Sequence, residues 1–197
     1  MKNVLNYQSS EYDCGPTTIT NAIRYLFERE DIPPAVLKHI WVMGNDTYCE
    51  LGQLGKRGTS KASMRYMAEW LNGFGKGCRF PVEAKFLEFG DTAIAPGSES
   101  WQCLERGGCV VMRCFSGKIG HYVLLTKILP EGEIGLFDPY DEDPDFQEPG
   151  RRVVEGEPRV MNRAVKYELM NQENEDDYAM GPLEIRENVL IWCRETK

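Results

Sequence analysis

Histidine is scarce, with two in 197 residues, so any chemistry that needs an imidazole must use His39 or His121. Long apolar runs are missing: nothing approaches the ~18–20 residues of a membrane span, and no membrane partner is expected. Basic residues are the minority. The 23 Lys+Arg against 31 Asp+Glu leave a formal net charge of −8, which removes the electrostatic reason to expect nucleic acid or an anionic lipid surface as partner. The opening MKNVLNYQSSEYDCG carries one lysine and soon turns polar, so it lacks the apolar centre of a signal peptide, and a cytoplasmic protein is expected. The seven cysteines are an odd number scattered over the chain, unlike the dense, even framework of a small secreted domain. Cys103, Cys109 and Cys114 lack the CxxC pairing of a structural zinc site, so no metal or other cofactor is implied. Internal repeats and low-complexity linkers are absent as well.

What is present is enough apolar material for a core. Hydrophobic residues make up 42% and aromatics 11%, and a chain of this length can bury roughly 70% of its unfolded surface. One domain over residues 1–197 is expected. Ile19, Ala22, Ile23, Leu26 and Phe27 recur at helical spacing behind Cys14-Gly15-Pro16, with Pro16 in the first turn, where a missing N–H costs nothing. Asp13 is expected to cap this helix. Pro33-Pro34 ends the segment and opens a second helix to about Met43. A glycine-rich loop, GNDTYCELGQLGKRG, leads to a third helix capped by Thr59 or Ser60 and stopped by Gly73. After residue 100 the pattern changes to short β-branched and aromatic runs, CVVMRCF, HYVLLTKIL and EIGLFDPY, separated by turn sequences. Helices first and an antiparallel sheet afterwards predict an α+β fold, with a helical lobe at about 13–75 and a sheet lobe at about 100–195. RRVVE and ENVLIWCRE read as further strands, VMNRAVKYELM as a helix, and the acidic run from Asp138 to Asp145 as a solvated loop without EF-hand spacing.

Two short motifs give His121 company. A cysteine at a helix N-terminus, as Cys14 is expected to be, meets unsatisfied N–H groups and the positive end of the helix dipole, which favour the thiolate. Beside an imidazole it becomes the activated nucleophile of acyl transfer. Gln8 lies six residues upstream, close enough for its amide to turn back and join the Cys14 N–H as a donor to an oxyanion. Asp138 follows His121 by seventeen residues, the length of a strand, a turn and a return strand, which brings its carboxylate beside the imidazole. His39 has no such neighbours.

Gln8 and Cys14 in QSSEYDCGPTT, then Gly120-His121-Tyr122-Val123, then Phe137-Asp138-Pro139-Tyr140 resemble the papain-like cysteine peptidases of the C39-like group, relatives of the bacteriocin-processing peptidases that cut after double-glycine leaders. The resemblance covers about residues 5–145. It implies a papain-like fold and a peptide or protein substrate. It also implies Cys14 as nucleophile, His121 as general base and then acid, Asp138 as its orienter and Gln8 as oxyanion donor. No P-loop accompanies these motifs, so a stand-alone peptidase rather than part of an exporter is expected. The same residues would serve an acyltransferase or deamidase, and a binding module that has lost catalysis is the remaining alternative.

Overall fold

Apolar periodicity behind Cys14-Gly15-Pro16 produces helix α1 (Cys14–Leu26), with Ile19, Ala22 and Ile23 fully enclosed. The computed structural model describes residues 3–141, 144, 146 and 149–194; Glu142, Asp143 and Asp145 of the acidic run lie outside them. Proline at the first position opens α2 (Pro34–Gly44). The third helix, α3 (Lys61–Gly77), starts at Ser60, whose hydroxyl accepts from the Ser63 amide. It does not stop at Gly73 but continues one turn to Gly77, because Gly75 sits where the chain returns towards the sheet. A Cβ at Gly75 would fall 2.6 Å from the Val82 carbonyl oxygen and 3.0 Å from that of Phe80. The glycine is there for close approach, not for termination.

Residues 78–108, given no element by the sequence pattern, hold β1 (Val82–Glu88) and α4 (Glu99–Glu105). The expected runs then form β2 (Cys109–Ser116), β3 (Ile119–Ile128) and β4 (Glu133–Phe137). Next come β5 (Arg151–Val153), β6 (Arg163–Lys166), the one-turn helix α5 (Tyr167–Met170) and β7 (Glu187–Cys193). VMNRAVKYELM is therefore strand before it is helix: Ala164 and Val165 pair with Gly135 and Ile134 of β4, and tertiary pairing overrides local helix propensity.

The described strands form one seven-stranded sheet in the order β1-β7-β2-β3-β4-β6-β5, with every neighbour antiparallel. The molecule is thus a mixed helical and antiparallel-sheet structure. Alternation along β2 assigns its side chains to two cores. Cys109 and Val111 face the core shared with α1 and α3, while Val110, Met112 and Cys114 face the core that includes Trp101 and Cys103 of α4. Polar contacts fix α1 along β3: the Thr18 hydroxyl donates to the Tyr122 carbonyl at 3.0 Å, and the Tyr25 hydroxyl to that of Thr126 at 2.9 Å.

Replacing Gly75 by alanine removes a poor helix former, worth a gain of about 1 kcal/mol on propensity alone. The contact with the Val82 carbonyl reverses the sign, and a net loss of about 1–3 kcal/mol in urea unfolding is expected.

Candidate active site

Cys14 is the first residue of α1 and is only 8% exposed. The predicted side-chain cap from Asp13 is not made. Its backbone (φ −89°, ψ 7°) is not in the extended region that aims a capping oxygen at the first-turn amides, and its Oδ1 lies 3.5 Å from Asn45 Nδ2 instead. The first amides of the helix have no intrahelical acceptor, so the end that carries the thiol keeps its donors. Gly15 admits the following loop: a Cβ there would lie 2.0 Å from Thr59 Oγ1.

His121 lies on β3 directly across from Cys114 of β2, and Asp138 comes immediately after β4. His121 Nε2 and Asp138 Oδ1 are 2.7 Å apart, with both residues buried. Cys14 lines the same cleft and helps to hold this imidazole in its charged form. With Nε2 on the carboxylate, Nδ1 is the nitrogen left for sulfur. Burial pushes the His121 pKa down, but hydrogen bonds and charge from Asp138 and Cys14 outweigh it and raise the value to about 10. Burial pushes Asp138 up. The hydrogen bond and charge of His121, with the donors from Tyr140 and Tyr178, win and hold it below its ordinary value.

Gln8 borders the same cleft of about 810 Å³ as Cys14, His121 and Asp138. Two clamps set its position. Asn21 of α1 exchanges both amide hydrogen bonds with the Asn6 backbone, each at 2.8 Å, and the Gln8 N–H donates to the Pro139 carbonyl at 2.8 Å. One hydrogen of its side-chain amide goes to the Ser10 carbonyl at 2.8 Å. The Nε2 carries a second hydrogen that this bond does not use.

Two neighbours of Asp138 escape a reading of the sequence. Asn162 accepts the Asp138 N–H on its Oδ1 and donates its Nδ2 to the Asp138 carbonyl, each at 2.8 Å. Tyr178 donates to Asp138 Oδ2 at 3.0 Å, and it is a buried residue at φ +66°. A left-handed tyrosine costs energy that the surrounding structure must supply, and here its N–H is held by the Phe115 carbonyl at 2.8 Å. Asn162 lies in a segment read as helix, Tyr178 follows an acidic stretch, and neither carries a local signal of its tie to Asp138.

No protein-family model and no curated protein matches the chain. Several solved structures are similar to the chain. Among them is the peptidase domain of Streptococcus mutans ComA, at 11% identity and a TM-score of 0.43, over 96% of this chain and 98% of that one. The likeness is distant, and the chemistry of the site is read from its own geometry.

The remaining thiols differ in kind. Burial raises Cys103 and pushes Cys109 and Cys114 well up, which keeps them protonated and inert. Cys49, in the loop before α3, is pulled down by backbone N–H donors, first that of Gln53. No group of three potential metal ligands occurs among the described residues. His39 is stacked on Trp70, with ring centroids 3.8 Å apart, as a partly buried packing residue.

The buried pair makes stability depend on pH in a defined sense. His121 is raised in the folded state, so its contribution is complete below its ordinary 6.5 and is lost as pH climbs through about 10. Asp138 is lowered, so its contribution is complete above its ordinary 3.8 and is lost as pH falls below it. The urea midpoint is expected to hold level between these two ordinary values and to decline towards pH 10. In Asp138→Asn the alkaline decline should shrink, because only the part due to Cys14 remains. Tyr178→Phe leaves Oδ2 short of a donor and should cost about 1–3 kcal/mol.

Proposed function

We propose that the protein is a cysteine peptidase or related amide hydrolase with the papain-like arrangement of nucleophile, imidazole and carboxylate, acting on a peptide. The observation that carries this reading is the buried His121–Asp138 pair at 2.7 Å, in one cleft with a thiol at a helix N-terminus. A peptide carbonyl enters the cleft, and the Cys14 thiolate attacks its carbon. The oxyanion lies between the Cys14 N–H and the free hydrogen of Gln8 Nε2. As the tetrahedral adduct collapses, the C–N bond breaks and His121 passes its proton to the departing amine nitrogen. A thioester remains. The now neutral imidazole takes a proton from water as the water oxygen attacks the thioester carbonyl, and the C–S bond then breaks to release the acid and restore the thiolate and imidazolium. Asp138 keeps Nδ1 facing sulfur throughout.

This scheme needs no cofactor. Its substrate is a peptide or protein, the whole chain acts as one unit, and the free thiols suit a reducing cytoplasm. No helix among the described residues is long and apolar enough to cross a membrane.

Iodoacetamide labelling at about pH 6, resolved by peptide mapping, tests the thiolate pair. Cys14 should label far faster than the other six thiols, Cys49 included, and should slow in His121→Ala. If Cys14 labels no faster than Cys49, the catalytic reading fails and a binding protein is the better description. Once a substrate is in hand, Cys14→Ala should abolish turnover, and Gln8→Ala should lower kcat on the order of 10²–10³-fold.

A further inference from the structure

The cleft contains a cation for which this chemistry has no use. Arg113 of β2 pairs in register with Tyr122, the residue after His121. Its guanidinium lies against Gly120, the residue before His121, where a Cβ would fall 2.9 Å from Nη2. The positive charge thus lies at the flank of the imidazole. The Arg113 guanidinium forms no hydrogen bond or ion pair with the described residues, and its Nη1 is buried without a partner. Among the described residues its ring contact is with Phe115, 5.3 Å from the ring centroid.

The nearby acids make their contacts elsewhere, although Glu187 feels the charge of Arg113 at longer range. Glu187 accepts from the Tyr122 hydroxyl and lies 4.0 Å from Lys61 Nζ. Asp177 Oδ1 accepts from the Gly117 N–H at 2.8 Å. Asp138 is held by His121, Tyr140 and Tyr178. Glu11 borders the cleft without reaching Arg113. A buried guanidinium N–H with no acceptor is costly unless something that comes and goes supplies one. The chain as a whole is acidic, so an anionic group that enters this cleft does so against the overall charge and because of a local cation.

We propose that Arg113 is a substrate-binding residue that receives a carboxylate of the peptide beside the reacting centre; this rests on the peptidase reading above. The fork of the guanidinium suits a carboxylate in a way that an ammonium would not. Either the C-terminal carboxylate of the peptide or an Asp or Glu side chain next to the attacked bond supplies the same chemistry.

The test compares iodoacetate with iodoacetamide, an anionic and a neutral reagent of similar size, at Cys14. At about pH 8.5 an ordinary thiol also alkylates, so the ratio of the two rates reports on Arg113 even if Cys14 proves no faster than its neighbours. In Arg113→Gln the iodoacetate-to-iodoacetamide ratio at Cys14 should fall on the order of tenfold. In Arg113→Lys it should stay near the wild-type value, and at exposed Cys78 it should not move in either variant. Arg113→Met, which keeps the aliphatic stem, replaces the Gln variant should that one fail to fold. An unchanged ratio at Cys14 in the uncharged variant overturns the proposal, and does so whether or not Cys14 is activated. The source is then read from protection of Cys14 by three probes: N-acetyl-triglycine, its carboxamide, and N-acetyl-Gly-Glu-Gly carboxamide. Protection by the free acid assigns a terminal carboxylate, and protection by the Glu peptide assigns a side chain. Equal protection by all three overturns the proposal.

Discussion

The seam between α1 and β3 is the constraint on which the rest depends. Cys14 belongs to a helix and His121 to a strand, and 106 intervening residues leave their meeting to packing rather than to the chain. Thr18 and Tyr25 attach the helix to two carbonyls of β3, Tyr122 and Thr126, four residues apart. The buried faces of Ile19, Ala22 and Ile23 supply the apolar contact that makes these bonds hold. A shift of one helical turn, about 5.4 Å, would separate thiol and imidazole altogether. Asn21, on the same helix, clamps Asn6, so the lead segment that carries Gln8 takes its position from the same element.

A second layer of order concerns charge. An imidazole and a carboxylate this deep are expensive to desolvate, and removing either partner would strand the other. The structure surrounds the carboxylate with donors, from Tyr140, Tyr178 and His121, and fixes its backbone with Asn162. Tyr178 accepts a left-handed backbone to take part. Strain of this kind gathers where a side chain must be aimed, and here it is aimed at the group that orients the imidazole.

The sequence made the local parts of this arrangement readable. The first helix begins at Cys14, the Ser60 cap is real, and the short β-branched and aromatic runs became β2, β3 and β4, buried along most of their length. The pairing of His121 with Asp138 follows from a strand-turn-strand length, which is a short-range argument. What escaped was set by distant partners. Gly73 looked like a helix stop, yet the glycine that matters is Gly75, and its reason is the Val82 carbonyl across the turn. Asp13 looked like a cap, but its backbone angles aim the carboxylate away. Arg163-Ala-Val-Lys166 became a strand because β4 offered an edge. Asn162 and Tyr178 are 24 and 40 residues from the aspartate they hold, a separation that no periodicity encodes.

The position of β7 has a consequence for how the protein comes into being. It is the last of the described strands along the chain, yet it lies inside the sheet, between β1 and β2. On the ribosome, both of those strands emerge with a bare edge facing the gap, and some 70 residues must follow β2 before Glu187 can enter it. Closure of the sheet is thus a late, non-local event in synthesis. In the finished sheet β7 is the neighbour that joins β1 to β2, so the two meet only through the last of the described strands to be made.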